Sequence, residues 1–237
     1  MGELAPDMRS LIEKATVKLP DVGGQAVLVK GGFLLTAAHC LELLTTGGIA
    51  LGDRSPVLVA PPTGSQFRAA ALSVEPLSDI AVLAELDHSD ESRASFYEFA
   101  DNTTAVEISL DEPHFGEWFD VYILSYNGEW LEGRAAIWQP HARCLGICSM
   151  NKIESGTSGG PVVDAAGRLV AIMSRTSEHN HGDGFVASGA RPSTALPAGI
   201  LREIECSPER HFDSAILSEL LDVQSSDHCR PTDHHGL

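Results

Sequence analysis

Residues 155–161 read Ser155-Gly156-Thr157-Ser158-Gly159-Gly160-Pro161, and the apolar pair Val162-Val163 follows directly. Glycines on both sides of Ser158 permit a tight turn free of side chains. Such a turn can aim backbone N–H groups at a developing oxyanion while the serine attacks. A serine hydroxyl is a weak nucleophile until a base takes its proton, so the reading requires a histidine and a carboxylate elsewhere in the chain.

Both are present. Upstream, Phe33-Leu34-Leu35-Thr36-Ala37-Ala38-His39-Cys40 is an apolar, strand-like run that ends in small residues and a histidine. Between the two segments lies Ser78-Asp79-Ile80-Ala81-Val82-Leu83, with a carboxylate at the head of another apolar run. Taken singly, each piece is ordinary: a histidine beside a core is more often structural, and an Asp before a strand is usually a turn residue. The order His39, Asp79, Ser158 within one chain is far more specific.

Thr36-Ala37-Ala38-His39-Cys40, Asp79-Ile80-Ala81-Val82-Leu83 and Gly156-Thr157-Ser158-Gly159-Gly160-Pro161-Val162 together resemble the three signatures of trypsin/chymotrypsin-like serine peptidases. The resemblance spans roughly residues 15–205 and is closer to bacterial, HtrA-like members than to digestive proteases. It implies a chymotrypsin-like, all-β fold of two packed antiparallel β-barrels with C-terminal helices. It also implies a serine endopeptidase working through an acyl-enzyme, with Ser158 as nucleophile, His39 as base and then acid, and Asp79 orienting the imidazole. The N–H groups of Gly156 and Ser158 take the place of the oxyanion hole. Ser174 stands where relatives carry a serine supporting the aspartate, and Ser174-Arg175-Thr176 becomes the edge that pairs with an extended substrate.

Two departures from the family pattern bear on regulation and specificity. Zymogen-type relatives carry Asp just before the nucleophile, where it pairs with a newly cleaved N-terminus; this chain has Thr157. Activity is therefore expected without proteolytic release of an N-terminus. At the base of the primary pocket, six residues before the nucleophile, trypsin-type relatives carry Asp; this chain has Lys152, followed by Ile153. Tryptic preference for Arg or Lys is not supported. A Lys152 pointing inward favours acidic P1 residues, whereas one pointing to water leaves a pocket shaped by Ile153 and its neighbours.

The 237 residues are 43% hydrophobic and 21% charged, enough for a sizeable core. No apolar run reaches the length of a membrane-spanning helix, which is about 18 residues or more. Met1-Gly2-Glu3-Leu4-Ala5-Pro6-Asp7 lacks an apolar signal core, and Pro6 stands where a myristoylation motif needs Ser or Thr. A cytoplasmic location is the expectation. The five cysteines, Cys40, Cys144, Cys148, Cys206 and Cys229, are odd in number, which suits a reducing compartment. Many secreted relatives bridge the cysteine after the histidine to one on the preceding strand, but Gln25-Ala26-Val27-Leu28-Val29 contains none. Cys40 is read as a small buried hydrophobe. No cofactor or metal is implied; His228, Cys229, His234 and His235 are read as part of a floppy tail.

The net charge is −17, and residues 73–120 hold thirteen acids against one base, Arg93. The plain reading is a solvated, solubilising face; the sharper one is a docking surface for a cationic protein partner. Nucleic-acid binding is disfavoured because phosphate recognition needs the opposite sign, and no membrane association is expected. The partner class is a protein or peptide substrate.

Short strand-like runs with turn signals recur along the chain: 15–19, 25–30, 33–36, 49–51, 57–60, 67–74, 80–83, 106–110, 119–125, 133–138, 144–149, 161–164, 169–174 and 184–187. This cadence argues for an antiparallel barrel or sandwich. The organisation expected is an N-terminal, helix-compatible segment over 1–14, then a peptidase domain over 15–205 with one barrel over about 15–88 and a second over about 103–190. The stretch 89–102 is read as the connection between them, partly helical. A C-terminal helix over 206–222 and a disordered tail over 223–237 follow, and too few residues remain after 205 for a PDZ-like domain. Two alternatives stand beside the active peptidase: a latent effector protease gated by a partner, and a non-catalytic protein-binding module on the same fold.

Overall fold

The computed structural model describes residues 3–41, 56–85, 90–137, 143–180 and 184–206. The strand reading at 49–51, the helix at 206–222 and the tail at 223–237 fall largely or wholly outside those residues.

The fold consists of two six-stranded antiparallel barrels with a few short helices. Strands β1 (Thr16–Leu19), β2 (Gly24–Val29), β3 (Phe33–Thr36), β4 (Val57–Val59), β5 (Phe67–Glu75) and β6 (Ile80–Glu85) form the first, in the order β1-β2-β3-β6-β5-β4. A reciprocal pair of backbone bonds between Lys18 and Ala60, at 3.0 and 2.9 Å, joins its two ends. Closure removes exposed strand edges. β2 and β3 are buried at every position, so both read as continuous apolar runs rather than alternating ones. β5 and β6 pair with a register shift between Ala71 and Ser73, leaving Leu72 exposed at the irregularity.

The second barrel is β7 (Phe119–Leu124), β8 (Trp130–Ala136), β9 (Cys144–Ser149), β10 (Pro161–Val163), β11 (Leu169–Asn180) and β12 (Phe185–Ala190), closed in the order β10-β11-β12-β9-β8-β7. Its core gathers Val121, Ile123, Leu145, Ile147, Val162 and Met173. β9 alternates half-buried and buried residues, as a barrel strand with one inward face should.

Helix α1 (Pro6–Ala15) opens with proline in its first turn, where the missing N–H costs no intrahelical bond, and buries Ile12 and Ala15. Thr16 Oγ1 returns a bond to Ile12 O at 2.7 Å as the chain turns into β1. Helix α2 (Asp90–Asn102) follows the first barrel and packs Phe96 and Phe99 on Phe67, with ring centroids 5.3 and 5.8 Å apart. Burying a side chain such as Phe96 contributes about 1.5–3 kcal/mol, so this aromatic trio anchors α2 to β5. Helices α3 (Pro192–Ala195) and α4 (Ala198–Cys206) come after the second barrel.

Two elements differ from the sequence reading. Residues 106–110 form no strand; Val106 and Ile108 make single parallel bridges to Val29 and Leu169. The segment passes alongside both barrels, donating from Val106 N to Leu28 O and from Ser109 N to Leu169 O, so its bonds are divided and no ladder grows. β11 runs on to Asn180, beyond the reading that ended it at Ser174, because β12 continues to pair with it through Arg175, Thr176 and Asn180.

Candidate active site

His39, Asp79 and Ser158 come from three separate places. β3 ends at Thr36, and a single 3-10 turn over Ala38–Leu41 presents His39. Asp79 closes the loop from β5 to β6, with φ +60°, a left-handed backbone that costs a non-glycine residue about 1–2 kcal/mol. Ser158 sits in the turn that precedes β10.

The imidazole and the carboxylate are joined. His39 Nδ1 lies 2.7 Å from Asp79 Oδ2, and the His39 backbone N–H donates to Asp79 Oδ1 at 2.9 Å. Ala38 N donates to Asp79 O at 3.2 Å, so the turn bearing His39 is tied to Asp79 through backbone and side chain together. Ser174 Oγ, from β11 of the second barrel, also donates to Asp79 Oδ2. Asp79 is mostly buried while His39 keeps about half its side-chain surface. Burial acts to raise the Asp79 pKa, but the bonds from His39, from Ser174 and from the His39 backbone outweigh it and hold the carboxyl below its ordinary value. The bond to Asp79 and the neighbouring Cys40 push His39 up to about 10.

Ser158 Oγ donates to Ser174 O at 3.3 Å. Among the described residues no hydrogen bond joins Ser158 to His39; His39 Nε2 instead lies 3.8 Å from Cys40 Sγ. Cys40 is buried and its thiol forms no disulfide. A Cβ placed on Gly24, the residue beginning β2, would stand 2.6 Å from Cys40 Sγ, so the thiol packs directly on that backbone.

The turn that carries Ser158 is clamped to the first barrel. Gln25 N donates to Ser158 O at 2.9 Å, and Gln25 Nε2 reaches toward Leu124 O at 3.4 Å and Thr157 O at 3.5 Å. Thr36 Oγ1 donates to Gln25 O at 2.6 Å. Gly159, with φ +80°, lies so close that a Cβ there would be 2.0 Å from Gln25 O and 2.4 Å from Thr36 Oγ1. Gly156, with φ +89°, packs on the ring of Tyr126. Thr157 is fully buried, and its Oγ1 accepts the Tyr126 N–H at 3.2 Å. The position before Ser158 is thus a neutral residue satisfied within the second barrel. Among the described residues the N–H groups of Gly156 and Ser158 have no backbone acceptor, which leaves both as donors at the turn.

Lys152 is exposed, and Ile153 is buried in the core of the second barrel. The Ile153 side chain packs among the barrel's inward residues. Arg175 and Thr176 are exposed on β11, paired on one edge with Ser188 and Ala187 of β12. β10 ends at Pro161 opposite Ile172, so beyond Met173 the other edge of β11 passes Gly159 and Ser158 rather than another described strand. A cavity of about 270 Å³ lies elsewhere, lined in part by Glu112, His114, Trp118, Arg168, Arg191 and Ser193; it includes none of the residues above. Among the described residues no helix is long and apolar enough to cross a membrane.

Sequence reading missed Gln25 and Tyr126. Gln25 carries the one available signal: a polar residue inside an otherwise apolar strand, buried at 2% exposure and therefore in need of partners.

A family model described as a trypsin-like peptidase domain matches residues 24–172. Among solved structures, the inactive form of the Rv3671c protease of M. tuberculosis superposes with a TM-score of 0.52 at 17% identity, covering 86% of this chain and 98% of that one. The serine endoprotease from Yersinia pestis superposes at 0.51 with 18% identity, covering 96% of this chain and 69% of that one. At these identities the likeness is one of fold. No curated protein sequence matches the chain.

Proposed function

Because the chain belongs to the trypsin-like peptidase domain family, we propose that it is a serine endopeptidase that cleaves peptide bonds through an acyl-enzyme, using Ser158, His39 and Asp79. The observation that carries this reading is the bond between His39 Nδ1 and Asp79 Oδ2, with the turn of Ser158 bonded to the same β11 that supports Asp79.

In the proposed reaction the Ser158 hydroxyl leaves Ser174 O and turns to His39 Nε2. His39 accepts its proton as Oγ bonds to the scissile carbonyl carbon. The N–H groups of Gly156 and Ser158 stabilise the resulting oxyanion; losing one such donor typically costs about 10²–10³ in turnover. The imidazolium then protonates the leaving amine, and water releases the acyl group by the reverse proton path. Asp79, held ionised, keeps the Nδ1 proton in place throughout. The open edge of β11 at Ser174, Arg175 and Thr176 is suited to pair with substrate backbone. Lys152, exposed to water, supports neither tryptic nor acidic P1 selection, so a peptide-library profile is expected to show no Asp or Glu enrichment at P1.

One observation favours a second reading, a latent form of the same enzyme. Ser158 Oγ and His39 Nε2 are each engaged elsewhere, with Ser174 O and Cys40 Sγ, so a ligand or partner that turns both toward each other would switch activity on. Fluorophosphonate labelling tests the proposal. Labelling of the wild type and its loss in Ser158→Ala is the expected result. Labelling that appears only with peptide substrate or a partner present supports the latent form. A wild type that never labels, alone or with additions, supports a binding module and overturns the enzyme.

A further inference from the structure

The loop between β5 and β6 is Pro76-Leu77-Ser78-Asp79, spanning the last cross-strand pair, Glu75 and Ile80. Asp79 there has a left-handed backbone. An Asp usually tolerates that conformation by bonding its own side chain to nearby backbone. Here both carboxylate oxygens are committed elsewhere, to His39 and Ser174. Ser78, the neighbour, is buried at 1% exposure, and its Oγ is the one buried side-chain polar atom without a partner among the described residues. The serine hydroxyl therefore does not hold the loop in shape.

Glu75 does. Its Oε2 accepts the Ser78 N–H at 2.6 Å, a short bond to a carboxyl oxygen. Its Oε1 faces Arg143 at 3.4 Å, and Arg143 belongs to the segment leading into β9 of the second barrel. Arg143 O in turn accepts Arg191 N at 2.8 Å, which ties it to the end of β12. Cys144 Sγ, next in sequence, lies 3.9 Å from Ser78 O. The peptide before Asp79 is thus gripped by Glu75 from below and by the second barrel from across.

We propose that Glu75 is a positioning residue for Asp79, setting the backbone that aims its carboxylate at His39, and that Arg143 holds Glu75 in place from the second barrel. The inference rests on the reading of Asp79 as the catalytic partner of His39. His39 and Cys144 are the ionisable groups that interact with the Asp79 carboxylate, Cys40 lies against His39, and Glu75 and Arg175 act on Cys144, with Arg143 paired to Glu75. Removing Glu75 changes the charge nearby, but the larger consequence is geometric, because a displacement of about 1 Å at a catalytic group can cost about 10² in rate.

The test compares the full-length wild type with Glu75→Ala, Glu75→Gln and Arg143→Gln. Glu75→Gln keeps an acceptor for Ser78 N–H and loses the pairing with Arg143; Glu75→Ala loses both. The readouts are kcat and KM on an ester substrate, and the His39 titration followed by NMR, the latter also in a Ser158→Ala background where catalysis plays no part. In Glu75→Ala, kcat is expected to fall by about 10-fold or more with KM little changed, and the His39 midpoint to move down toward its ordinary value. Glu75→Gln and Arg143→Gln should move both in the same direction by less. A Glu75→Ala protein with native kcat and a native His39 titration overturns the proposal, whatever its melting temperature. Should Glu75→Ala not fold, an unmoved titration in both glutamine variants overturns it equally. Failure of the enzyme reading is distinct: the wild type does not label with fluorophosphonate, while the His39 titration still responds to Glu75.

Discussion

Replacing Gly159 by Ala isolates the contact that fastens the Ser158 turn to the first barrel. The new Cβ would stand 2.0 Å from Gln25 O and 2.4 Å from Thr36 Oγ1, and Gln25 O is backbone that cannot swing aside. Three costs arise together. The left-handed backbone at φ +80° disfavours a residue with a Cβ by about 1–2 kcal/mol. Forcing Thr36 Oγ1 off Gln25 O loses about 1 kcal/mol of hydrogen bonding. Parting β2 from the turn is an overpacking event of about 1–3 kcal/mol. The expected destabilisation is about 3–6 kcal/mol, or roughly 6–24 °C in melting temperature for a chain of this size. Gly128→Ala serves as the control. Its φ is +83°, but nothing lies within 4 Å of the added atom, so only the backbone cost of about 1–2 kcal/mol should appear. Urea unfolding followed by tryptophan fluorescence measures both. Equal losses in the two variants would refute the argument, because they would show that the close approach to Gln25 carries no energy.

Further outcomes follow from the site. Asp79→Asn should lower kcat for ester hydrolysis by about 10⁴ while far-UV circular dichroism stays native; near-native turnover would mean that another carboxylate serves His39. Since the folded state holds His39 protonated up to about 10, and the neutral imidazole is the proposed base, kcat/KM should still be rising between pH 7 and 9, and Cys40→Ala should shift that rise to lower pH by removing the second cause. The same linkage gives a sign for stability. The His39 contribution is fully present below its unfolded pKa of about 6.5 and is lost as pH rises toward 10, so the stability gap between wild type and His39→Gln should narrow over that range. Asp79 contributes in the opposite sense: its share is present above its ordinary value and lost as pH falls through its lowered one. Thr157→Val should cost about 1 kcal/mol in urea unfolding, because the part-buried Tyr126 N–H loses its acceptor; a neutral effect would show that this N–H has another acceptor.

Much of the architecture is legible in local pattern. The apolar runs at 33–36, 80–83 and 144–149 sit in strands because each must bury at least one face, and turn residues such as Gly31, Gly32 and Gly167 mark where they reverse. The run at 106–110 has the same local pattern and forms no strand, since its bonds are divided between Leu28 and Leu169, which no local window reveals. Ile153 shows the same limit from the other side. Its burial depends on the strands that close around it in the second barrel.

By itself the sequence determined the identities and order of His39, Asp79 and Ser158, because the proposed chemistry needs those side chains and the turns around them leave local marks in glycine and in small and apolar residues. Only the tertiary structure decided what orients them. Gln25 meets the Ser158 turn across 132 positions, Ser174 meets Asp79 across 95, and Arg143 meets Glu75 from the other barrel. Contacts between residues so far apart depend on how the two barrels pack, and packing is a property of the whole chain that no short stretch encodes.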